Sequence, residues 1–219
     1  MSGVGGVPAA DLDAALDQAR RGDERAFAEL WISLNPLILR YLRVLVGQAA
    51  EDVASETWLH AARDVRDFRG DAAGFRVWLF RVARHRGLDE LRRAGRRPEE
   101  PTGLPGIGTD GAREHAAPDD TAAAALERLS TEQALRLISR LPKNQGEAVM
   151  LRVIIGLDAK QTAQVLGKRS GAVRIAAMRG LRGLSGFLSE AAASTEADGR
   201  SVDPGAAARP TGWVDEVTP

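Results

Sequence analysis

The chain has 219 residues, enough for one large domain or two small ones, and its 44% hydrophobic residues are ordinary for a globular protein. The 30 basic and 30 acidic residues balance, and the lack of cysteine with only three scattered histidines excludes disulfides, a cysteine nucleophile and a thiolate metal site. No uninterrupted apolar run approaches the ~20 residues that span a bilayer, so we expect a cytoplasmic protein without a membrane segment, metal or cofactor.

Charge is segregated along the chain although the total is zero. Residues 11–97 hold 16 Arg and 14 acids, residues 98–132 hold 2 Arg and 8 acids, and residues 133–188 hold 10 Arg or Lys and 2 acids. Two basic stretches separated by an acidic one indicate local binding of a polyanion. For a single basic stretch, solvated charge on a helix surface is the alternative.

The first half of the chain is predicted to be helical nearly throughout residues 11–97. Asp23 is placed to cap a helix that ends near Gly47. A loop with two glycines over residues 66–74 precedes a long helix that ends near Gly95. Few aromatic residues and few Val/Ile runs argue against a sheet, so the expected fold class is all-α.

An acidic linker divides the chain into two small helical domains. Residues 98–125 are rich in Pro, Gly and acidic residues and lack apolar periodicity, which is typical of a flexible linker. A second helical domain follows over residues 126–190. Residues 191–219 are predicted to be a disordered tail, apart from an apolar pair that begins at Trp213.

The stretch LGKRSGAVRIAAMRGLRGL, residues 166–184, has the pattern of a helix-turn-helix. Asp158 is placed to cap a short helix, Gly167 to turn the chain, and Ser170 to cap a second helix. On the second helix one face is predicted to be buried: Val173, Ala176, Ala177, Gly180, Leu181 and Leu184. The opposite face carries Arg174, Arg179 and Arg182, which could enter a DNA major groove. A basic amphipathic helix without a DNA-binding role is the alternative.

Short motifs in both halves match one known family. In the second half they are Leu141-Pro142, Gly156-Leu157, Ala163 to Gly167, and Gly171 to Arg174. In the first half the pattern is more diagnostic: Glu51-Asp52-Val53, Glu56-Thr57, Phe68-Arg69, Phe75-Arg76, Trp78-Leu79, Ala83-Arg84 and Asp89-x-Leu91-Arg92-Arg93. The chain thus resembles the extracytoplasmic-function (ECF) sigma factors, small specificity subunits of bacterial RNA polymerase. Response regulators share the second unit, but their βα receiver domain would need strands that are not predicted here.

The resemblance implies a protein that binds core RNA polymerase, through its β′ and β subunits, and directs promoter-specific transcription initiation without catalysis of its own. In the family, the helix that corresponds to residues 52–62 docks on a coiled coil of β′. This implies polymerase contacts from Asp52, Glu56 and Trp58, with Val53 and Leu59 mainly in the core. A core position for Trp58 is an equal alternative.

The loop Asp67–Gly70 and the start of the next helix match the family's reader of the minus-ten promoter element. There a base of the non-template strand is flipped into a pocket while cations bind the backbone. The implied contacts are Asp67, Phe68, Arg69, Arg76, Arg81 and Arg84, with Phe75 and Trp78 expected in the core. His85 departs from the asparagine that the family often has at this position.

The second helix of the helix-turn-helix would read the minus-thirty-five element as duplex DNA. The implied contacts are Lys168, Arg169, Ser170, Arg174, Met178, Arg179 and Arg182. The acidic linker would occupy the RNA exit path of the polymerase. Many family members are held inactive by an anti-sigma factor, which makes such a protein a candidate partner here. A stand-alone regulator that binds duplex DNA is the alternative function.

Overall fold

The computed structural model describes residues 9–96 and 122–199. All elements in these two ranges are helical and none is a strand, which confirms the expected all-α fold. The expectations for most of the linker, over residues 97–121, and for the tail around Trp213 lie outside the described residues.

Four helices form the N-terminal domain, and three of them are long. They are α1 (Ala9–Arg20), α2 (Glu24–Val46), α3 (Ala50–Asp64) and α4 (Ala72–Ala94). Asp23 caps α2 as predicted, because its carboxylate accepts hydrogen bonds from the backbone N–H groups of Arg25 and Ala26. Helix α2 continues through Pro36 and ends at Gly47, whose φ of 61° favours glycine.

The core of this domain is built on the apolar side of α2. Leu30, Ile38 and Leu42 are at most 1% exposed, and α4 packs against them with buried residues that include Phe75 and Phe80. By length and composition the stretch Glu24–Asp64 could also cross a membrane, contrary to the sequence-based expectation. Within this stretch, α2 buries seven residues in the helical bundle, from Ala26 to Leu45.

The C-terminal domain begins and ends with long helices and has shorter elements between them. They are α5 (Ala122–Ser139), α6 (Lys143–Val149), a π-helical turn (Met150–Ile154), α7 (Ala159–Leu166) and α8 (Ser170–Gly199). Helix α8 continues past residue 190 into the segment for which the sequence predicted a disordered tail. The π-helical turn was not predicted either.

The two helical domains are in contact, since both lie within the compact unit that ends at Leu184. Helix α4 packs against α7, and α2 packs against α5 and α6. The sequence predicted a flexible connection and gave no indication of this contact. This contact involves candidate DNA-binding residues on α4.

Candidate nucleic-acid interface

The turn between α7 and α8 is fixed by a capping box and a left-handed glycine. The Asp158 carboxylate accepts hydrogen bonds from the backbone N–H groups of Lys160 (2.6 Å) and Gln161 (2.8 Å), and the Gln161 side chain accepts one from the Asp158 N–H (2.9 Å). These bonds, that from Gln161 first, hold the pKa of Asp158 below its usual value. Gly167 has φ 64° and ψ 38°, a conformation that side chains disfavour. The Asp158 cap and the glycine turn are confirmed, whereas Ser170, predicted to cap α8, is instead its first helical residue.

Helix α8 has the two faces that the sequence predicted, with one correction. Val173 and Ala177 are buried, while Arg174, Arg179 and Arg182 are exposed and form no ion pair with a described residue. Leu181, predicted to be buried, is 46% exposed. At about 100° per residue it lies at the edge of the buried face rather than at its centre. The exposed face also carries Ile175 and Met178, so it is less purely basic than expected.

The residues before α8 add positive charge beside its exposed face. Lys168 donates a hydrogen bond from Nζ to Asn144 Oδ1 at 2.7 Å, which fixes its position next to the start of α6. Arg169 is exposed, and Ser170 is the half-buried first residue of α8. All seven predicted contacts of this region therefore lie within one continuous stretch of chain, from Lys168 to Arg182.

The loop before α4 is held by aromatic packing. The Phe68 ring lies 5.3 Å from the Phe75 ring and 5.6 Å from the Trp78 ring, centroid to centroid. Asp67 and Arg69 remain exposed, and Arg69 folds back to donate to the carbonyls of Arg66 and Phe68. The half-buried Phe68 supports the loop from behind and is less free to stack on a base than the sequence predicted.

The arginines of α4 divide into two groups. Arg81 is exposed, as expected for a side chain that meets DNA. Arg84 instead donates from Nε to Glu147 Oε1 at 2.9 Å, and Arg76 donates to the carbonyl of Ile155. Burial lowers the pKa of the Arg76 guanidinium, which still carries its charge at neutral pH. Two predicted DNA contacts therefore have protein partners in the C-terminal domain, and Glu147 was not among the residues that the sequence indicated.

The predicted polymerase-binding face on α3 is partly corrected. Asp52 and Glu56 are exposed and line a groove together with Glu90 and Arg93 from the end of α4. Trp58 is only 6% exposed, and its Nε1 donates to Asn35 Oδ1 at 3.0 Å, so it is a core residue. Leu59, expected in the core, is 60% exposed. Val53 is buried as expected, so α3 faces the core as predicted except at Leu59.

The part of the chain that the structure describes shows no metal-binding site. No group of three or more Asp, Glu or His side chains in residues 12–96 and 131–190 is arranged to hold a metal ion. His60 pairs with Asp64 at 3.2 Å and stacks on Trp78, whereas His85 is exposed on α4. Charge and hydrogen bonding are therefore the chemistry that the candidate interface offers.

Two family models match the chain, one for each helical domain. Sigma-70 region 2 matches residues 30–97, and Sigma-70, region 4 matches residues 131–184. The ECF RNA polymerase sigma factor BldN of Streptomyces coelicolor is 34% identical over 188 residues, 83% of this chain and 69% of that protein. The chain belongs to the ECF family of sigma factors. SigD, an ECF sigma factor of Mycobacterium tuberculosis, is 33% identical over 79% of this chain and 82% of its own length.

Membership of the family decides between the two functions that the sequence left open. This ECF sigma factor binds core RNA polymerase and promoter DNA and directs transcription initiation, and its relatives are not enzymes. The alternative of a stand-alone regulator is set aside. The fold also resembles that of CnrH, solved in complex with the cytosolic domain of CnrY, with a TM-score of 0.56 and 22% identity over 82% of this chain and 98% of CnrH.

Proposed function

We propose that this ECF sigma factor reads its promoter at two places, the minus-thirty-five duplex with α8 and the unpaired minus-ten strand with the loop Asp67–Gly70 and α4. The observation that carries the proposal is the exposed face of α8. Arg174, Arg179 and Arg182 project there without protein partners in the described residues, opposite a buried face. Guanidinium groups in this arrangement suit guanine edges and phosphate oxygens of the major groove.

The neighbours of these arginines have complementary roles in the upstream contact. Lys168 and Arg169 bring charge to the phosphates that flank the groove, and the Ser170 hydroxyl can donate to a phosphate oxygen. The exposed Met178 supplies an apolar group of the kind that meets a thymine methyl. Phosphate contacts fix the register of α8, and base contacts give it specificity.

At the minus-ten element the loop and α4 act on single-stranded DNA. Asp67 and Arg69 are exposed at the loop surface, and Arg81 is exposed on α4. Arg76 and Arg84 can contact the DNA strand only after their hydrogen bonds to Ile155 and Glu147 break. Promoter opening therefore requires the two domains to move apart, an event that we assign to binding of core polymerase.

The face of α3 that docks on the polymerase β′ subunit consists of Asp52, Glu56 and Leu59. Leu59 replaces Trp58 in this proposal because its side chain is exposed and that of Trp58 is not. The protein acts in the cytoplasm and leaves all chemistry to the polymerase. An anti-sigma factor as a further partner rests on the family resemblance alone.

The chain contains no cysteine, which allows a direct test by single-cysteine crosslinking. Variants Met178→Cys, Arg69→Cys and Glu56→Cys each receive a photo-activated crosslinker and are assembled into holoenzyme on promoter DNA. We expect crosslinks to upstream duplex, to the downstream non-template strand and to the β′ subunit, respectively. Crosslinks from Met178→Cys to polymerase only, with none to DNA, would overturn the proposed role of α8.

A further inference from the structure

The N-terminal helix α1 contacts the loop that we assign to the minus-ten element, although α1 precedes the residues matched by the family model. Arg20, its last residue, places its guanidinium carbon 5.5 Å from the centroid of the Phe68 ring. The same group donates a hydrogen bond to the carbonyl of Gly70, and its Nη1 donates to Asp17 Oδ1 at 2.7 Å. One side chain therefore contacts two residues of a four-residue loop.

A second residue of α1 fixes the far end of the loop. Asp13 accepts a hydrogen bond from the backbone N–H of Ala72, the first residue of α4, at 2.6 Å. Asp71 accepts another from the Gly74 N–H at 2.7 Å. Because the loop is anchored at its middle by Arg20 and at its end by Asp13, its backbone is positioned from outside the loop itself.

The loop packs closely on itself at Gly70. Gly70 has φ 143°, and a Cβ at this position would lie 3.2 Å from the Phe68 ring, so the chain passes close to the ring that Arg20 covers. The exposed residues Asp67 and Arg69 project from this fixed backbone. Their orientation toward a flipped base depends on the position of the loop to within a fraction of an ångström.

We propose that Arg20 is a positioning residue for minus-ten recognition, which holds the loop in the geometry that discriminates promoter bases without contacting DNA itself. The proposal rests on the proposed role of the loop. A lysine cannot replace Arg20, because a lysine ammonium lacks the planar group that covers an aromatic ring while donating to a carbonyl. A direct phosphate contact, in contrast, needs only the positive charge.

The test uses holoenzyme assembled from core polymerase with wild type, Arg20→Ala, Arg20→Lys or Arg21→Ala, an exposed arginine beside it. Transcription is compared on a promoter with an intact minus-ten element and on promoters with single-base substitutions there. For Arg20→Ala and Arg20→Lys we expect the discrimination ratio to fall about tenfold, the size of one cation–π contact with one hydrogen bond. Discrimination at the minus-ten element should be unchanged in Arg21→Ala. Discrimination at the upstream element and affinity for polymerase should be unchanged in all the variants.

The outcomes separate this inference from the proposed function. Restored discrimination in Arg20→Lys would show a charge contact with DNA and overturn the positioning role, as would an equal loss on all promoters. The variant Arg69→Ala tests the loop itself. If Arg69→Ala discriminates minus-ten bases as well as wild type does, the proposed role of the loop fails. If discrimination is unchanged only in Arg20→Ala, this inference alone is overturned.

A different observation, the buried carboxylate of Glu147, leads to a second inference. Glu147 lies on α6 and is 3% exposed, and its Oε1 accepts hydrogen bonds from Arg84 Nε at 2.9 Å and from Tyr41 Oη at 3.1 Å. Both donors belong to the N-terminal domain. Burial, and secondly the Glu147 carboxylate, raise the pKa of Tyr41 well above its usual value, so the phenol remains a donor.

The Glu147 cluster is polar, whereas the buried centre of a permanent interface is mostly apolar. The net stabilisation from a buried ion pair is small, because desolvation of both charges offsets their attraction. On separation, the carboxylate, the guanidinium and the phenol all regain water. The arrangement therefore suits a contact that forms and opens rather than a fixed core.

We propose that Glu147 acts as a latch that occupies Arg84 in place of a DNA phosphate until core polymerase separates the domains. A carboxylate and a phosphate compete for the same guanidinium by the same charge-assisted hydrogen bonds. Arg76, which donates to the Ile155 carbonyl across the same contact, is released together with Arg84. The proposal rests on the proposed role of Arg84 at the minus-ten strand.

The test compares free wild type with Glu147→Gln, Tyr41→Phe and the control Glu132→Gln, which removes a charge from an exposed pair of the same domain. Dyes on Arg43→Cys in α2 and Gln164→Cys in α7, both exposed positions, report domain separation by energy transfer. The affinity for single-stranded oligothymidylate reports release of Arg84, since phosphate contacts do not depend on sequence.

For Glu147→Gln we expect lower energy transfer and about tenfold tighter oligonucleotide binding than for the control, since one charge-assisted bond is exchanged. Tyr41→Phe should also lower the energy transfer and tighten oligonucleotide binding, but by less. Equal energy transfer in Glu147→Gln and Glu132→Gln would overturn the latch. If the domains separate but Arg84→Ala holoenzyme still opens promoters normally, the role of Arg84 at the minus-ten strand fails instead.

Discussion

Arg174 is the residue on α8 for which the structure supports the most specific expectation. It is exposed beside the fully buried Val173, so its direction is fixed by the packing of its neighbour. We expect Arg174→Ala holoenzyme to lose ~1–3 kcal/mol of discrimination at the minus-thirty-five element, the value of one base-edge contact, while it binds core polymerase normally. Transcription from promoters with intact and substituted upstream elements measures this.

The control for Arg174 is Arg136→Ala, an exposed arginine on α5 of the same domain that pairs with Glu132 at 3.7 Å. It removes the same charge from a different helix of the same domain. Equal loss in both variants would indicate a general charge effect. Equal activity of Arg174→Ala and wild type on both promoters would contradict the base contact.

At the residue scale, the sequence predicted exposure well at the centre of a helix face and poorly at its edge. Arg174, Arg179 and Arg182 are exposed as predicted, but Leu181 and Leu59, both expected to be buried, are exposed. Residues at the edge of a face are assigned by tertiary neighbours, which helical spacing does not contain. Arg84 shows the same limit, because its partner Glu147 is 63 residues away in sequence.

At the element scale, the packing of α8 depends on Gly180. A Cβ at this position would lie 2.6 Å from Val149 Cγ2 and 3.2 Å from the Gln145 carbonyl oxygen. We expect Gly180→Ala to lower the free energy of unfolding, because overpacking costs ~1–3 kcal/mol and outweighs the helix-propensity gain of up to ~1 kcal/mol. Denaturant unfolding monitored by helical circular dichroism measures the difference.

Gly171, in the first turn of the same helix, provides the matched substitution. No atom lies within 4 Å of a Cβ built there, so Gly171→Ala should gain stability from propensity alone. The two glycine-to-alanine substitutions should therefore change the free energy of unfolding in opposite directions. Stabilisation by both would show that α8 shifts to accommodate the methyl group and does not pack closely against α6.

The stabilisation of α7 by its cap residue Asp158 should depend on pH. Hydrogen bonds from Gln161, then Lys160, hold the Asp158 pKa below the ordinary carboxyl value of about 4. A depressed folded-state pKa contributes stability that is present above the unfolded pKa and is lost as pH falls through the folded one. The advantage of wild type over Asp158→Asn in thermal unfolding should therefore begin to fall below about pH 4 and be lost once the pH is below the lowered pKa. A difference that stays constant with pH would contradict this contribution.

Element boundaries were predictable wherever a cap defines them. The side chains of Asp23 and Asp158 and the conformation of Gly167 are local properties of a few residues, and all three are as predicted. The π-helical turn Met150–Ile154 and the extension of α8 to Gly199 have no such signal. A turn of this kind is set by how its helix packs, which the sequence pattern does not contain.

At the scale of the whole molecule, opposite charges lie on one chain in an order that disfavours DNA binding by the free protein. Residues 76–97 hold 8 Arg and 2 acids and residues 133–188 hold 10 Arg or Lys and 2 acids, while residues 98–132 between them hold 2 Arg and 8 acids. The acids compete with DNA for the arginines, and the contacts of Arg84 and Arg76 with the C-terminal domain withdraw two more cations.

We therefore expect the free protein to bind promoter DNA weakly, with steep salt dependence and little preference for sequence. Counterion release makes the logarithm of the binding constant fall linearly with the logarithm of salt concentration, and nonspecific binding consists almost entirely of this term. In the proposed function, core polymerase removes the competition by separating the domains and holding them at promoter spacing, which would raise the effective concentration of each site once the other is bound. A salt titration on promoter and scrambled duplexes, with and without core enzyme, measures both effects. If the free protein discriminates the promoter as sharply as the holoenzyme does, neither the charge order nor the domain contact restrains DNA binding, and polymerase contributes no more than recruitment.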